Sequence, residues 1–156
     1  MMVRRVIRWI LIGTALLLLA AQAVPYGRRH TNPPARVEPS WDSAGTRALA
    51  VRACFDCHSD ETVWPWYSHV APASWLSQRD VDKGRQKLNF SEWDRPQKEA
   101  RESAKTVRKG TMPPWFYSSI QPDSRLAPAE VQALIQGLEA TLGAGGGKRA
   151  RKGHDD

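Results

Sequence analysis

The longest apolar run of the chain lies at its start. Residues 1–24 read MMVRRVIRWILIGTALLLLAAQAV, a basic head of Arg4, Arg5 and Arg8 followed by an apolar stretch from Trp9 to Val24 broken only by Gln22 and a few small residues. A basic head before such a stretch inserts with the head on the cytoplasmic side, so the rest of the chain is delivered across the membrane. Counted from Trp9 the stretch is short for a span of about 17–25 residues. Starting at Val6, with Arg8 snorkelling toward the headgroups, brings it within range. Ala21-Gln22-Ala23 also resembles a small-x-small cleavage site. Residues 1–24 are therefore read as either a retained N-terminal transmembrane anchor or a cleaved signal peptide. Both put residues 25–156 outside the cytoplasmic membrane. A buried helix of a cytosolic protein explains the basic head less well.

Beyond this run the pattern is helical and sparse. Residues 25–40 (PYGRRHTNPPARVEPS) have four prolines and no apolar period and read as an extended linker. Ser40 or Asp42 is the expected cap of a helix running to about Cys54, with Ala44, Ala48, Val51 and Phe55 as its apolar face. Prolines make 59–72 a loop. A helix is expected from Ala73 to about Leu88, with Trp75, Leu76 and Val81 as apolar points, then a connection over 89–94. A polar helix fits Arg95 to Lys109, ended by Gly110. Residues 111–125 (TMPPWFYSSIQPDSR) read as an irregular loop. Pro128 suits the first turn of a last helix whose apolar face is Val131, Leu134, Ile135, Leu138 and Leu142, stopped by Gly143. The glycine-rich, basic segment 144–156 is low-complexity and expected to be disordered. No stretch alternates in the manner of a strand, so the domain at 41–143 is read as all-α.

Composition narrows the class. With 156 residues there is room for one domain. The hydrophobic share is 41%, much of it in the first run, and mean hydropathy is still −0.53. The remainder is polar with a thin core, which excludes a large α/β enzyme domain. Two cysteines exclude a disulfide-rich scaffold. The net charge of +7 gathers beside the first run (Arg4, Arg5, Arg8, Arg28, Arg29) and in the tail (Lys148, Arg149, Arg151, Lys152). That distribution suits a place near anionic lipid, or plain solvated charge. It does not interleave with stacking aromatics, so no nucleic acid is expected as a partner.

Both cysteines fall in Cys54-Phe55-Asp56-Cys57-His58. C-x-x-C-H is the attachment signature of c-type haem. Two thiols three positions apart reach the two vinyl groups of one porphyrin, and the histidine that follows is held beneath the iron as proximal ligand. A thioredoxin-like redox pair expects a βαβ context that is not visible here. A zinc site needs a fourth ligand. A disulfide three residues apart closes too small a loop to stabilise much. A haem also accounts for the thin core, because the porphyrin is itself a large apolar body. Some of the seven tryptophans suit its walls, and core packing suits each of them equally.

The second axial position decides what a haem does. Met112, in Thr111-Met112-Pro113-Pro114, is the one methionine beyond the first run, and two prolines stiffen the loop that carries it. A thioether opposite imidazole raises the potential and suits electron transfer. A methionine that only fills a core gap is the plainer alternative. His69 is the rival ligand, close after His58 in sequence, while His30 and His154 sit in the linker and the tail. A vacant sixth site would instead mean ligand binding or peroxidatic chemistry.

On these residues the chain resembles the small haem-binding domain proteins related to cytochrome c. The resembling pieces are Thr31–Pro34 (TNPP), Cys54–Thr62 (CFDCHSDET), Trp64–Leu76 (WPWYSHVAPASWL), Leu88–Trp93 (LNFSEW), Met112-Pro113-Pro114 and Ala129–Ile135 (AEVQALI). They cover about residues 25–143. The resemblance implies a cytochrome-c-like helical fold and one covalent haem c per chain, with His58 and Met112 as axial ligands. It also implies a domain tethered by its N-terminal helix and facing the periplasm. It names no partner. The arginine-rich Gly27–His30 segment and the long basic tail depart from the family pattern. The expectation is a non-enzymatic electron carrier with a protein redox partner of unknown identity. The alternative is a peroxidatic enzyme or ligand sensor with a labile sixth ligand.

Overall fold

The computed structural model describes residues 2–143. The tail expected to be disordered, 144–156, lies outside the described residues. Seven α-helices follow one another: α1 (Met2–Ala21), α2 (Ala44–Ala53), α3 (Phe55–His58), α4 (Ala73–Lys87), α5 (Ser103–Arg108), α6 (Trp115–Ile120) and α7 (Pro128–Leu138). No β-strand occurs among the described residues, and one isolated bridge joins Val37 to Glu92. The all-α reading holds.

The first helix forms where expected, with none of its side chains buried. The transmembrane span expected in 1–24 does not follow from it: no helix among the described residues is long and apolar enough to cross a membrane. Arg4, Arg5 and Arg8 sit inside α1. The uncharged remainder, Trp9 to Ala21, extends only about 20 Å at 1.5 Å per residue, against a hydrocarbon core of about 30 Å.

The segment after α1 is bound to the domain along its length. The Gln22 carboxamide donates to the Ala71 carbonyl at 2.9 Å and accepts the Ala71 N–H at 3.0 Å. Gly27, at φ 76°, lies so close to α4 that a Cβ there would stand 2.3 Å from the Ser74 carbonyl oxygen. Only glycine meets both demands. Arg36 and Val37 donate to the Ser91 carbonyl, and the Trp93 N–H returns to Val37. Replacing Gln22 by Leu is expected to cost the chain about 1–3 kcal/mol of stability, read from a lower urea midpoint, because the buried Ala71 N–H and carbonyl lose the Gln22 carboxamide. An unchanged midpoint would mean that the end of α1 is not docked.

Helix α2 is capped by Ser43, whose hydroxyl accepts the Thr46 N–H at 3.1 Å, and not by Ser40 or Asp42. Its inward face is also rotated from the expected one. Thr46, Ala50 and Ala53 are buried, while Ala44, Ala48 and Val51 are exposed. The small residues are needed where α2 crosses α7: a Cβ on Gly137 would stand 2.0 Å from Thr46 Oγ1. Helix α7, continued by a π-helical turn over Glu139–Gly143, matches the expected face, with Leu134, Ile135, Leu138 and, in that turn, Leu142 buried and Val131 packed beside them. Its first turn is capped by Glu130, which accepts the Ala127 N–H at 2.7 Å. Phe55, Leu88 and Phe90 complete the core, and Phe90 gathers Trp41, Phe55 and Trp93 within ring distances of 5.1–6.3 Å.

Two expectations need correction. The helix expected over 95–109 is confined to a 3₁₀ turn at Ala100–Glu102 and α5. Pro96 disfavours helical backbone at Arg95, and 95–97 instead closes under 85–92: Arg95 donates to the Arg85 carbonyl, and Gln97 bonds Asn89 N–H and the Glu92 carbonyl. The loop expected over 111–125 contains α6, which starts directly after Pro114, and a 3₁₀ turn at Pro122–Ser124. Within 59–72 a 3₁₀ turn, Trp66–His69, interrupts the loop.

Candidate functional site

The chain bends at Cys54, between α2 and α3, where the backbone turns to φ −128°. The Cys57 and His58 N–H groups both return to the Cys54 carbonyl, at 3.1 and 2.9 Å. One turn thus carries all three groups of the motif. Both cysteines are free thiols. Burial pushes each thiol up to about 12, with the neighbouring Cys57 adding to the effect on Cys54 and Asp56 to that on Cys57. They are therefore protonated at neutral pH, unlike the low-pKa thiolates of redox pairs and metal sites. Among the described residues no cluster of three His, Cys, Asp or Glu side chains is arranged to hold a metal ion.

The end of α4 fixes His58. Its Nδ1 lies 3.1 Å from the Gly84 carbonyl and 3.0 Å from the Leu88 carbonyl. Two acceptors require Nδ1 to carry the proton, which leaves the Nε2 lone pair for a metal. Burial lowers the affinity of the ring for a second proton, so the imidazole stays neutral. This approach is possible because residue 84 has no side chain: a Cβ there would stand 2.2 Å from the Cys57 carbonyl oxygen.

A polar network braces the turn from behind. Buried Asp60 accepts from Asn89 Nδ2 at 2.9 Å and pairs with Arg85 at 3.5 Å. Arg85 also donates to the carbonyls of Ser59 and Thr31, to Asn32 Oδ1 and to Thr62 Oγ1. The Ser91 hydroxyl accepts the Asp60 N–H. Two of the resembling sequence pieces, around Asn32 and Asp60, thus meet on one guanidinium, and a third, around Asn89, joins them through Asp60. Sequence reasoning missed Arg85, which sits in a helix among ordinary charged residues.

Met112 lies on the loop between α5 and α6. It lines a cleft of about 230 Å³ with Val107, Gly110, Pro113, Ser118, Leu126 and Val131, which does not include Cys54, Cys57 or His58. It is 40% exposed. Its N–H and that of Thr111 bond the Thr106 carbonyl at the end of α5. The rival, His69, is exposed and meets His30 edge-on at 4.3 Å, while His30 stacks on Trp64. Asp56 faces the other way: its Oδ1 accepts the Val63 N–H at 2.9 Å and its Oδ2 accepts the Tyr117 hydroxyl. Burial, reinforced by Asp56, holds the Tyr117 phenol far above its ordinary value, so it remains a donor.

The haem-binding domain family matches residues 16–140 of this sequence. The chain belongs to that family. No curated protein and no solved structure matches it. The expected cofactor is therefore haem, and the residues of this haem-binding domain fit one. His58 offers a neutral nitrogen in a fixed tautomer, beside two free protonated thiols. The indole N–H groups of Trp64 and Trp75 are buried with no acceptor. Such donors are costly unless a ligand supplies acceptors, and the carboxylates of a porphyrin are of that kind. Trp41 and Trp93 serve the core, whereas Trp66 and Trp115 are about four-fifths exposed.

Proposed function

We propose that this haem-binding domain is a monohaem c-type electron carrier at the outer, periplasmic face of the cytoplasmic membrane, and not an enzyme. The single observation that carries the reading is His58, pinned through Nδ1 by two carbonyls on the same turn as two neutral free thiols. Cys54 and Cys57 would hold the porphyrin through two thioethers, with no change in the oxidation state of sulfur. His58 would supply a nitrogen to the iron and Met112 a thioether. Bound haem supplies one-electron exchange between Fe(II) and Fe(III). The chain orients the imidazole, keeps it unprotonated and, through Met112, favours Fe(II).

Basic residues at its start support delivery of the domain across the membrane, with α1 then either kept against the domain or removed as a signal. Gln22 supports retention of that helix. Cleavage after Ala23 would remove the carboxamide that completes the buried Ala71 amide. The alternative, a cleaved and soluble periplasmic domain, predicts a mature chain beginning near Val24. The redox partner is a protein whose identity the chain does not specify.

The test is redox titration of the holoprotein with Met112→Ala beside it. The potential is expected to fall by on the order of 0.1 V or more, since axial-ligand identity spans about 0.8 V, and the Met–iron charge-transfer band is expected to vanish. A spectrum and potential unchanged by Met112→Ala would sink the assignment. The exposure of Met112 and its separate cleft favour one second reading, an enzyme or ligand sensor with a labile sixth position. Full carbon monoxide binding by the reduced wild type would favour it.

A further inference from the structure

Asp56 is a residue that the attachment chemistry does not need, since C-x-x-C-H leaves its two middle positions open. Here both carboxylate oxygens are committed, one to the Val63 N–H and one to the Tyr117 hydroxyl. Tyr117 lies on α6, which begins directly after Met112-Pro113-Pro114. Among the described residues no other hydrogen bond joins the attachment turn to residues 111–120. Burial does little for α6: none of its residues is buried, and Trp115, Phe116 and Ile120 are exposed. Behind Met112 the loop hangs on the Thr106 carbonyl at the end of α5. Ahead of it Tyr117 ties α6 to Asp56 of the turn, and Arg125 holds the Ser118 carbonyl from the following segment.

We infer that the Asp56–Tyr117 hydrogen bond is a latch that holds the Met112 loop against the haem-attachment turn and so sets how readily the sixth ligand leaves. The inference rests on the reading of Met112 as that ligand. Asp56 and Tyr117 are positioning residues. Neither need touch haem, and loss of the bond leaves Cys54, Cys57 and His58 in place. The Val63 N–H keeps its own oxygen of Asp56 when Tyr117 loses its hydroxyl.

The experiment uses the full-length holoprotein as wild type, Tyr117→Phe, Asp56→Asn, the double variant and Met112→Ala. Carbon monoxide affinity of the reduced form and the Met–iron charge-transfer band of the oxidised form are read on each. Tyr117→Phe is expected to raise carbon monoxide affinity roughly ten- to a hundredfold, the worth of a hydrogen bond to a charged group. Asp56→Asn, which keeps an oxygen but loses the charge, shifts it in the same direction by less. The double variant goes no further than Tyr117→Phe, because one bond is being removed twice. The pyridine haemochrome stays that of covalent haem throughout. Wild-type affinity and band in Tyr117→Phe, alongside a clear change in Met112→Ala, would overturn the latch alone. Additive effects of the two single variants would overturn it as well. If Met112→Ala also behaves as wild type, the sixth-ligand reading fails and the latch fails with it.

Discussion

Cells that mature c-type haem are expected to yield Cys54→Ser, Cys57→Ser protein that loses all its haem to acidic acetone, whereas the wild type keeps it. The wild type should give a c-type pyridine haemochrome, and each single variant should retain haem through one thioether. The effect is all-or-none because no other cysteine exists in the chain. A redox or metal role for the same thiols makes a different demand. Burial keeps both thiols protonated at neutral pH, which disfavours facile thiol exchange. Alkylation by iodoacetamide at neutral pH should accordingly be slow in the folded apo chain. Rapid alkylation, together with haem fully extracted from the wild type, would sink covalent attachment and return the pair to thiol chemistry.

The Cys54–His58 turn was legible as a candidate site because its groups are local. Two thiols and an imidazole within five positions stand out as a set, whatever folds around them. The last helix was legible for a related reason: its apolar residues recur at helical spacing, and the core uses that face. What was not legible depends on partners distant in sequence. Nothing in Ala44–Ala53 announces that Thr46 faces inward, because the reason is Gly137 across the crossing. Arg95–Lys109 looks helical by composition, yet Pro96 and the bonds of Arg95 and Gln97 take its first part elsewhere. Residues 25–40 look like an extended linker until Gly27, Arg36 and Val37 find partners at 74–93. At the site, Met112 could be named from its type, but the cleft it lines and the Asp56–Tyr117 bond could not. The resembling pieces of sequence fit this pattern, since those around Asn32 and Asp60 meet on Arg85 and the one around Asn89 joins them through Asp60.

Gly84 carries the second large effect, and it opposes two magnitudes. Alanine inside a helix is favoured over glycine by about 1 kcal/mol, so Gly84→Ala would stabilise α4 if space allowed. Space does not allow it. The new Cβ would meet the Cys57 carbonyl oxygen at 2.2 Å, its carbon at 2.9 Å and the Cys57 Cβ at 3.1 Å. These are backbone and near-backbone atoms, with no flexible end to swing aside, so α4 must back away from α3 by more than 1 Å. Overpacking of this kind costs about 1–3 kcal/mol. The retreat also draws the Gly84 and Leu88 carbonyls from His58 Nδ1, and each hydrogen bond lost from a buried group adds about 0.5–1.5 kcal/mol. The sum exceeds the helical gain, and Gly84→Ala is expected to destabilise the chain by about 2–4 kcal/mol net. Gly45→Ala is the control: its nearest neighbour is Ser43 Oγ at 3.7 Å, and it should be neutral or slightly stabilising. The measurement is the urea midpoint of both variants with the yield of covalent haem. Because the same carbonyls orient the imidazole, Gly84→Ala should lower the haem yield as well as the midpoint. A wild-type midpoint would show that α3 and α4 do not meet this closely. A low midpoint with wild-type haem yield and spectrum would show that the close approach serves stability and not the ligand.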